Sequence, residues 1–353
     1  MRRRLVLVTA VVSLSATVFL HAADDLVLSR FSDFLDSLRA QAGIPGLAAA
    51  IVSTTDVMWD HAYGQRDVER NIGTLNDTPF QLDASTQLLV AARTLRCVED
   101  GRLSLDDRVG QFDPNSSDPS ATVRQLLTHT TFGSDGLRFA YRPDRLAPLS
   151  AVLSKCTGDT FSGAMISLLE RFNMIDSVPG SDGSSWLPPS VDPGGTVSQR
   201  YTAVLGRLAT PYTVDGKGKP SSSRYSATAF TPASGLISTV RDLARFDLAL
   251  KKNGVLLRAE TLAIAWTAPL DRNGQRLPHG LGWFVQSYNG EPIVWQFGVA
   301  DNGSSSMILT APFRGLTLIL LANSSGLARP FSLEAGDVNV SPFARLFLGI
   351  FVR

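Results

Sequence analysis

The chain is poor in the residues that build metal, redox and nucleic-acid sites. Two cysteines, Cys97 and Cys156, among 353 residues are too few for a disulfide-stapled miniprotein or a thiolate metal cluster. Four histidines, His21, His61, His129 and His279, are scattered and never fall at ligand spacing, so neither a metal nor a cofactor is expected. Lysine is scarce, and no basic patch stands out, so nucleic acid is not an expected partner. No Gly-x-Ser-x-Gly elbow occurs, which argues against an α/β-hydrolase. There is no internal repeat. Beyond residue 20 no stretch is long and apolar enough to span a membrane.

What is present is ordinary globular composition, 44% hydrophobic and 18% charged, enough for one large or two intermingled domains. The N-terminus reads Met1-Arg2-Arg3-Arg4, then an uncharged apolar run from Leu5 to Leu20, then His21-Ala22-Ala23. A basic start, a short apolar core and small residues at its end read as a secretory signal peptide over 1–23, cut after Ala22 or Ala23. The alternative is an uncleaved anchor, the only membrane contact expected. Either way the body is expected outside the cytoplasm, periplasmic or extracellular. Without its three leader arginines the chain carries 30 basic and 32 acidic residues. In an oxidising compartment Cys97 and Cys156 have one possible pairing. Cys97 lies in an apolar helical pattern, however, and buried free thiols are the expectation.

Phe31, Phe34, Leu35 and Leu38 recur at helical spacing over 26–41. Gly43-Ile44-Pro45-Gly46 breaks that helix, and Leu47 to Val52 is a buried strand, with a second beginning at Val57-Met58-Trp59. Asp83 is placed to cap a helix whose buried stripe is Leu88, Ala91, Ala92, Leu95 and Val98, with Gly101 as its stop. From Val178 to Ala229 the chain is rich in Ser, Gly and Pro and reads as long surface loops. Order returns with an amphipathic helix from Val240 to Lys252, strands over 279–283, 294–298, 304–309 and 316–323, and a terminal apolar helix from Pro342 to Val352.

These pieces, in this order, resemble the serine β-lactamase and penicillin-binding protein superfamily, in its class C and esterase-like branch. Phe80-Gln81-Leu82-Asp83-Ala84-Ser85-Thr86-Gln87 stands where that family has Phe-x-x-x-Ser-x-x-Lys, and Gly101-Arg102-Leu103-Ser104-Leu105-Asp106-Asp107 where it has Gly-Lys-Leu-Ser-Leu-Asp-Asp. Thr122-Val123-Arg124-Gln125-Leu126-Leu127-Thr128-His129-Thr130 and His279-Gly280-Leu281-Gly282-Trp283 resemble two further family segments. The resemblance implies an α/β (α+β) architecture, an antiparallel sheet flanked by helices. The sheet domain would come from 24–85 and 230–353, with a helical, loop-rich insertion over 86–229.

In the family the Ser attacks a carbonyl and the Lys one turn later takes its proton. Here those positions hold Ala84 and Gln87. The family's Tyr-x-Asn matches Tyr141-Arg142-Pro143, so Pro143 replaces the amide that would bind substrate. Tyr141 is either an acid or base or a packed residue. The Lys-Thr-Gly or His-x-Gly strand matches Gln296-Phe297-Gly298, which keeps Gly298 and loses the cation at Gln296. Losing nucleophile and base together costs on the order of a million-fold, by analogy with triad knockouts. A surviving oxyanion hole at the backbone of Ala84 and near Gly298 would be worth ~10²–10³.

The expectation is therefore an exported, catalytically inactive serine-hydrolase homologue that binds or regulates at the cell envelope. Its partner would be a peptidoglycan-type peptide, a small acyl ligand or an envelope protein. One rival is a weak esterase, peptidase or β-lactamase-like enzyme with Ser85 as nucleophile, or Ser134 beside His129. Another is an interaction domain whose old pocket is filled by Phe132 and Phe297.

Overall fold

The computed structural model describes residues 25–352 apart from 135, 183–186, 188–191, 193, 226–228, 302 and 330, so the leader expected at 1–23 lies outside the described residues. Helix α1 (25–41) buries Phe31 and Leu35 completely, whereas Phe34, which shares their helical spacing, is exposed. Strands β1 (Gly46–Val52), β2 (Val57–Asp67) and β3 (Ile72–Gly73) follow, then the two-residue β4 (Phe80–Gln81). Helix α2 (Thr86–Glu99) opens the helical region, with α3 (Val123–Leu127), the hairpin β5 (Thr130–Gly133) and β6 (Gly136–Phe139), α4 (Leu149–Thr157) and α5 (Phe161–Arg171). Next come β7 (Val178–Pro179), α6 (Thr196–Leu205), the hairpin β8 (Tyr212–Val214) and β9 (Pro220–Ser222), β10 (Leu236–Ser238), α7 (Val240–Lys251) and α8 (Ala259–Ala265). Strands β11 (Phe284–Tyr288), β12 (Glu291–Val299), β13 (Ser305–Ala311) and β14 (Leu316–Ala322) precede the terminal α9 (Pro342–Phe351).

The chain ends meet in one seven-stranded antiparallel sheet, ordered β11-β12-β13-β14-β1-β2-β3. Both faces are covered, which is why β1 reads as an unbroken apolar run. Leu47, Ala49 and Ile51 pack with Phe31, Phe343 and Phe347 of the terminal helices. Ala48, Ala50 and Val52 point the other way, towards α7 and the helical region. A small sheet, β4-β10-β7, joins the two halves beside α2. Lys251 rivets α7 to the large sheet. Its ammonium donates to the carbonyls of Val52, Ser53 and Gly315 and pairs with Asp247 at 2.7 Å.

Three sequence readings need correction. The span 178–229 is more ordered than its composition suggests, because Asp192 accepts from the amides of Val197 and Ser198 and starts α6, whose Tyr201 and Val204 are buried. Residues 279–283 form a bend, and the strand starts at Phe284. Gly282 has φ +102°, and a Cβ there would lie 2.3 Å from that of Ala91, so only glycine lets this bend press against α2.

The third correction concerns the thiols. Cys97 on α2 and Cys156 on α4 form a disulfide, with Cα atoms 6.2 Å apart. Burial is common to free and bonded cysteine, and only the packing of α4 on α2 brings the two within bonding distance. The bridge spans 59 positions and removes loop entropy from the unfolded chain. Replacing both residues by serine is expected to lower unfolding free energy by about 2–4 kcal/mol in urea denaturation. An unchanged midpoint would contradict the bridge.

Candidate functional site

The turn before α2 is a short 3₁₀ segment, Asp83–Ser85, wedged between the small sheet and β12–β13. Asp83 was expected to cap α2. Instead it sits at φ +50° with a carboxyl oxygen accepting from Ser304 Oγ at 2.6 Å, and it makes no cap bond. Ser306 Oγ lies 2.8 Å from both the Leu82 carbonyl and Ser85 Oγ. Ser85 is thereby fully buried and its hydroxyl is turned into the sheet, away from the nucleophile position. Ala84 alone in this run is partly exposed. Gly298 lies directly over it: a Cβ on Gly298 would be 2.0 Å from Leu82 O and 3.0 Å from Ala84 N. The glycine is retained because two backbones touch here.

Behind Ala84 the structure brings Gln87, Tyr141 and Gln296 together, as the motif alignment predicts. His129, which the sequence reading connected only with Ser134, completes the group. The amide of Arg142 donates to His129 Nδ1 at 3.2 Å, which fixes that nitrogen as the acceptor. His129 Nε2 then carries the proton and donates to Gln87 Oε1 at 2.9 Å. Gln87 Nε2 donates to the Tyr141 hydroxyl at 3.2 Å, and that hydroxyl donates to Gln296 Oε1 at 3.1 Å. Every bond runs in one direction, and Gln296 also holds the amide of its neighbour Phe297 at 2.9 Å.

Each member of this chain is neutral. Burial, with repulsion from the His279 ring, holds His129 well below the ordinary histidine value. The two rings meet edge-on with centroids 4.7 Å apart. Burial lowers His279 to about 4 and raises the Tyr141 phenol above its ordinary range. Tyr141 therefore keeps its proton, and the one lone pair of His129 that could take a proton is already occupied by Arg142. The site can offer hydrogen bonds and apolar contact, and no group in it is poised to accept a proton.

The remaining predicted positions are placed as follows. Pro143 begins a 3₁₀ turn, so it supplies shape and no side-chain donor. Ser134 is exposed in the turn between β5 and β6, and both His129 nitrogens are engaged elsewhere. Phe132 is 75% exposed and fills no cleft, which corrects that part of the filled-pocket expectation. Phe297 is buried and packs on Tyr141 with centroids 5.4 Å apart. Among the described residues no group of His, Cys, Asp or Glu could hold a metal ion.

A helix-covered antiparallel sheet, with a 3₁₀ turn and helix entering at a glycine-bearing strand, defines the β-lactamase and transpeptidase fold. The sequence model of the Beta-lactamase family matches residues 31–338, and the chain belongs to that family. Among solved structures, the octameric penicillin-binding protein homologue from Pyrococcus abyssi superposes with TM-score 0.71 at 20% identity, covering 91% of this chain and 77% of that one. The D-amino acid amidase from Ochrobactrum anthropi SV3 superposes with TM-score 0.70 at 18% identity, covering 92% and 98%. Both show a shared fold. Protein flp of Staphylococcus aureus (strain MW2) is 24% identical over 307 residues, 79% of this chain, and the match spans 60% of that curated relative's length.

Asp83 generates a pH prediction. Burial pushes its carboxyl up to about 7, with the Ser304 hydroxyl opposing. The folded protein keeps this proton to about pH 7 while the unfolded chain releases it near pH 4, so folding stability falls by about 1.4 kcal/mol per pH unit across that window. Asp83→Asn is expected to remove this slope, so the variant gains on the wild type from pH 5 to pH 7 in denaturant unfolding. A constant difference between the two proteins would refute it.

Proposed function

We propose that this chain is an exported, catalytically inactive member of its family that acts by binding. The observation that carries the reading is the neutral hydrogen-bonded chain from His129 through Gln87 and Tyr141 to Gln296, lying behind an alanine at the nucleophile position. An acyl-transfer site needs a nucleophile and a group to take its proton. Ala84 has no heteroatom, and Gln87 spends both ends of its amide on neighbours. Four altered polar positions in one place support loss of chemistry better than a variant mechanism would. Export is supported by the leader-like N-terminus and by the Cys97–Cys156 bridge, since such bonds persist in oxidising compartments. The cell envelope, with a peptidoglycan-type peptide, a small acyl ligand or an envelope protein as partner, is the setting suggested by family membership.

Ser85 as an alternative nucleophile finds no support in its geometry, because its hydroxyl is buried against Ser306.

The test is intact-mass spectrometry after incubation with a fluorophosphonate and, separately, a penicillin, with an active family enzyme alongside. No adduct is expected on the wild type. Ala84→Ser alone is also expected to stay unlabelled by penicillin, because Gln87 cannot take the serine proton. A stoichiometric adduct on the wild-type protein would overturn the inactive reading, and mapping it would name the nucleophile.

A further inference from the structure

Away from the cleft, the outer ends of α2 and α5 gather positive charge around a cavity of about 180 Å³. Arg93, Arg96 and Arg171 line it together with Asp100, Ser167 and Leu168. Arg102 adds its charge from just beyond α2.

Two of these arginines have structural duties. Arg96 pairs with Asp100 at 3.1 Å and with Glu99 at 3.5 Å. Arg171 donates to the Val255 carbonyl at 3.2 Å. Both stand in the last turn of their helices, where a cation complements the helix dipole. Arg93 has neither excuse. It sits a turn earlier, is half-buried, and makes no ion pair among the described residues. Among the described residues its one polar contact is Cys97 Sγ at 3.8 Å, a weak acceptor. Burial disfavours its charge, Asp100 offsets part of that, and Arg102, Arg96 and Arg171 add repulsion.

A half-buried cation ringed by like charges calls for an anion. Three guanidinium groups against one carboxylate leave the cavity wall with two surplus positive charges. Its volume equals about six waters, room for a phosphate-sized ion with part of its hydration. We propose that this cavity binds a small oxyanion of the phosphate class, with Arg93 as its inner ligand and Arg171 and the Ser167 hydroxyl on its walls. Guanidinium groups suit this ligand because their planar donor forks match the oxygens of an oxyanion. Asp100 faces the same space and opposes binding, which weakens the affinity. Because Arg93 belongs to α2 and Arg171 to α5, occupancy ties the two helices together and stabilises the fold.

The experiment uses the whole mature protein and inorganic phosphate. Thermal unfolding is followed while phosphate is titrated at constant ionic strength against sodium chloride. The expected result is a saturable rise in Tm with phosphate that chloride does not reproduce, with the midpoint raised about tenfold or more by Arg93→Gln. Arg171→Gln, on the exposed wall, gives the same shift and serves if Arg93→Gln does not fold. No rise beyond the chloride control, or an unchanged midpoint in the folded variants, overturns the site. A second arm uses phosphatidylcholine vesicles with and without phosphatidic acid. Arg93-dependent sedimentation with the phosphatidic acid vesicles, without any response to free phosphate, overturns a free-anion site in favour of a lipid headgroup.

Discussion

Position 87 is 1% exposed, and a buried polar position must be neutral or fully paired. The family's chemistry places a lysine at this point, and a lysine needs neighbours that tolerate a charge and a serine that uses it. With Ala84 in the serine's place there is nothing to activate, and a buried ammonium would be an uncompensated cost. Glutamine resolves this. Its side-chain carbonyl accepts from His129 Nε2 and its amide donates to Tyr141, so the space is filled by a satisfied polar network. The change at Gln296 follows the same logic, since its side-chain oxygen receives the far end of the chain.

The scaffold around this network is held by close backbone contacts. Gly298 allows β12 to touch the turn at Ala84, and Gly282 lets the bend before β11 press on α2. Lys251 and its carbonyl cage hold α7 on the sheet far from the cleft. These contacts depend on shape and backbone rather than on the identity of the polar side chains in the network. A fold held by such contacts does not depend on which side chains stand at positions 84, 87 and 296.

Much of this was legible in the sequence. The two-sided burial of β1 shows as an unbroken apolar run, and the spacing from Phe80 to Ala84 to Gly101 fixes the register that identifies Gln87. Convergence of Gln87, Tyr141 and Gln296 followed from aligned motifs. What was not legible depends on three-dimensional packing. The Cys97–Cys156 bond needs α4 laid on α2. Asp83 looks like a helix cap locally, and only its tertiary neighbour Ser304 explains why it turns inward. The role of His129 depends on the Arg142 amide, thirteen residues away, which selects its tautomer. Phe34 shows that an aromatic residue at helical apolar spacing need not be inside, and Phe132 that one beside a family motif need not fill the pocket.

Whether the network is closed and neutral is tested most directly by ¹⁵N NMR of the His129 ring. A protonated Nε2, an unprotonated Nδ1 and no titration near the ordinary histidine value are predicted. Titration near the ordinary histidine value, or a proton on Nδ1, would show a free base beside position 87 and contradict it.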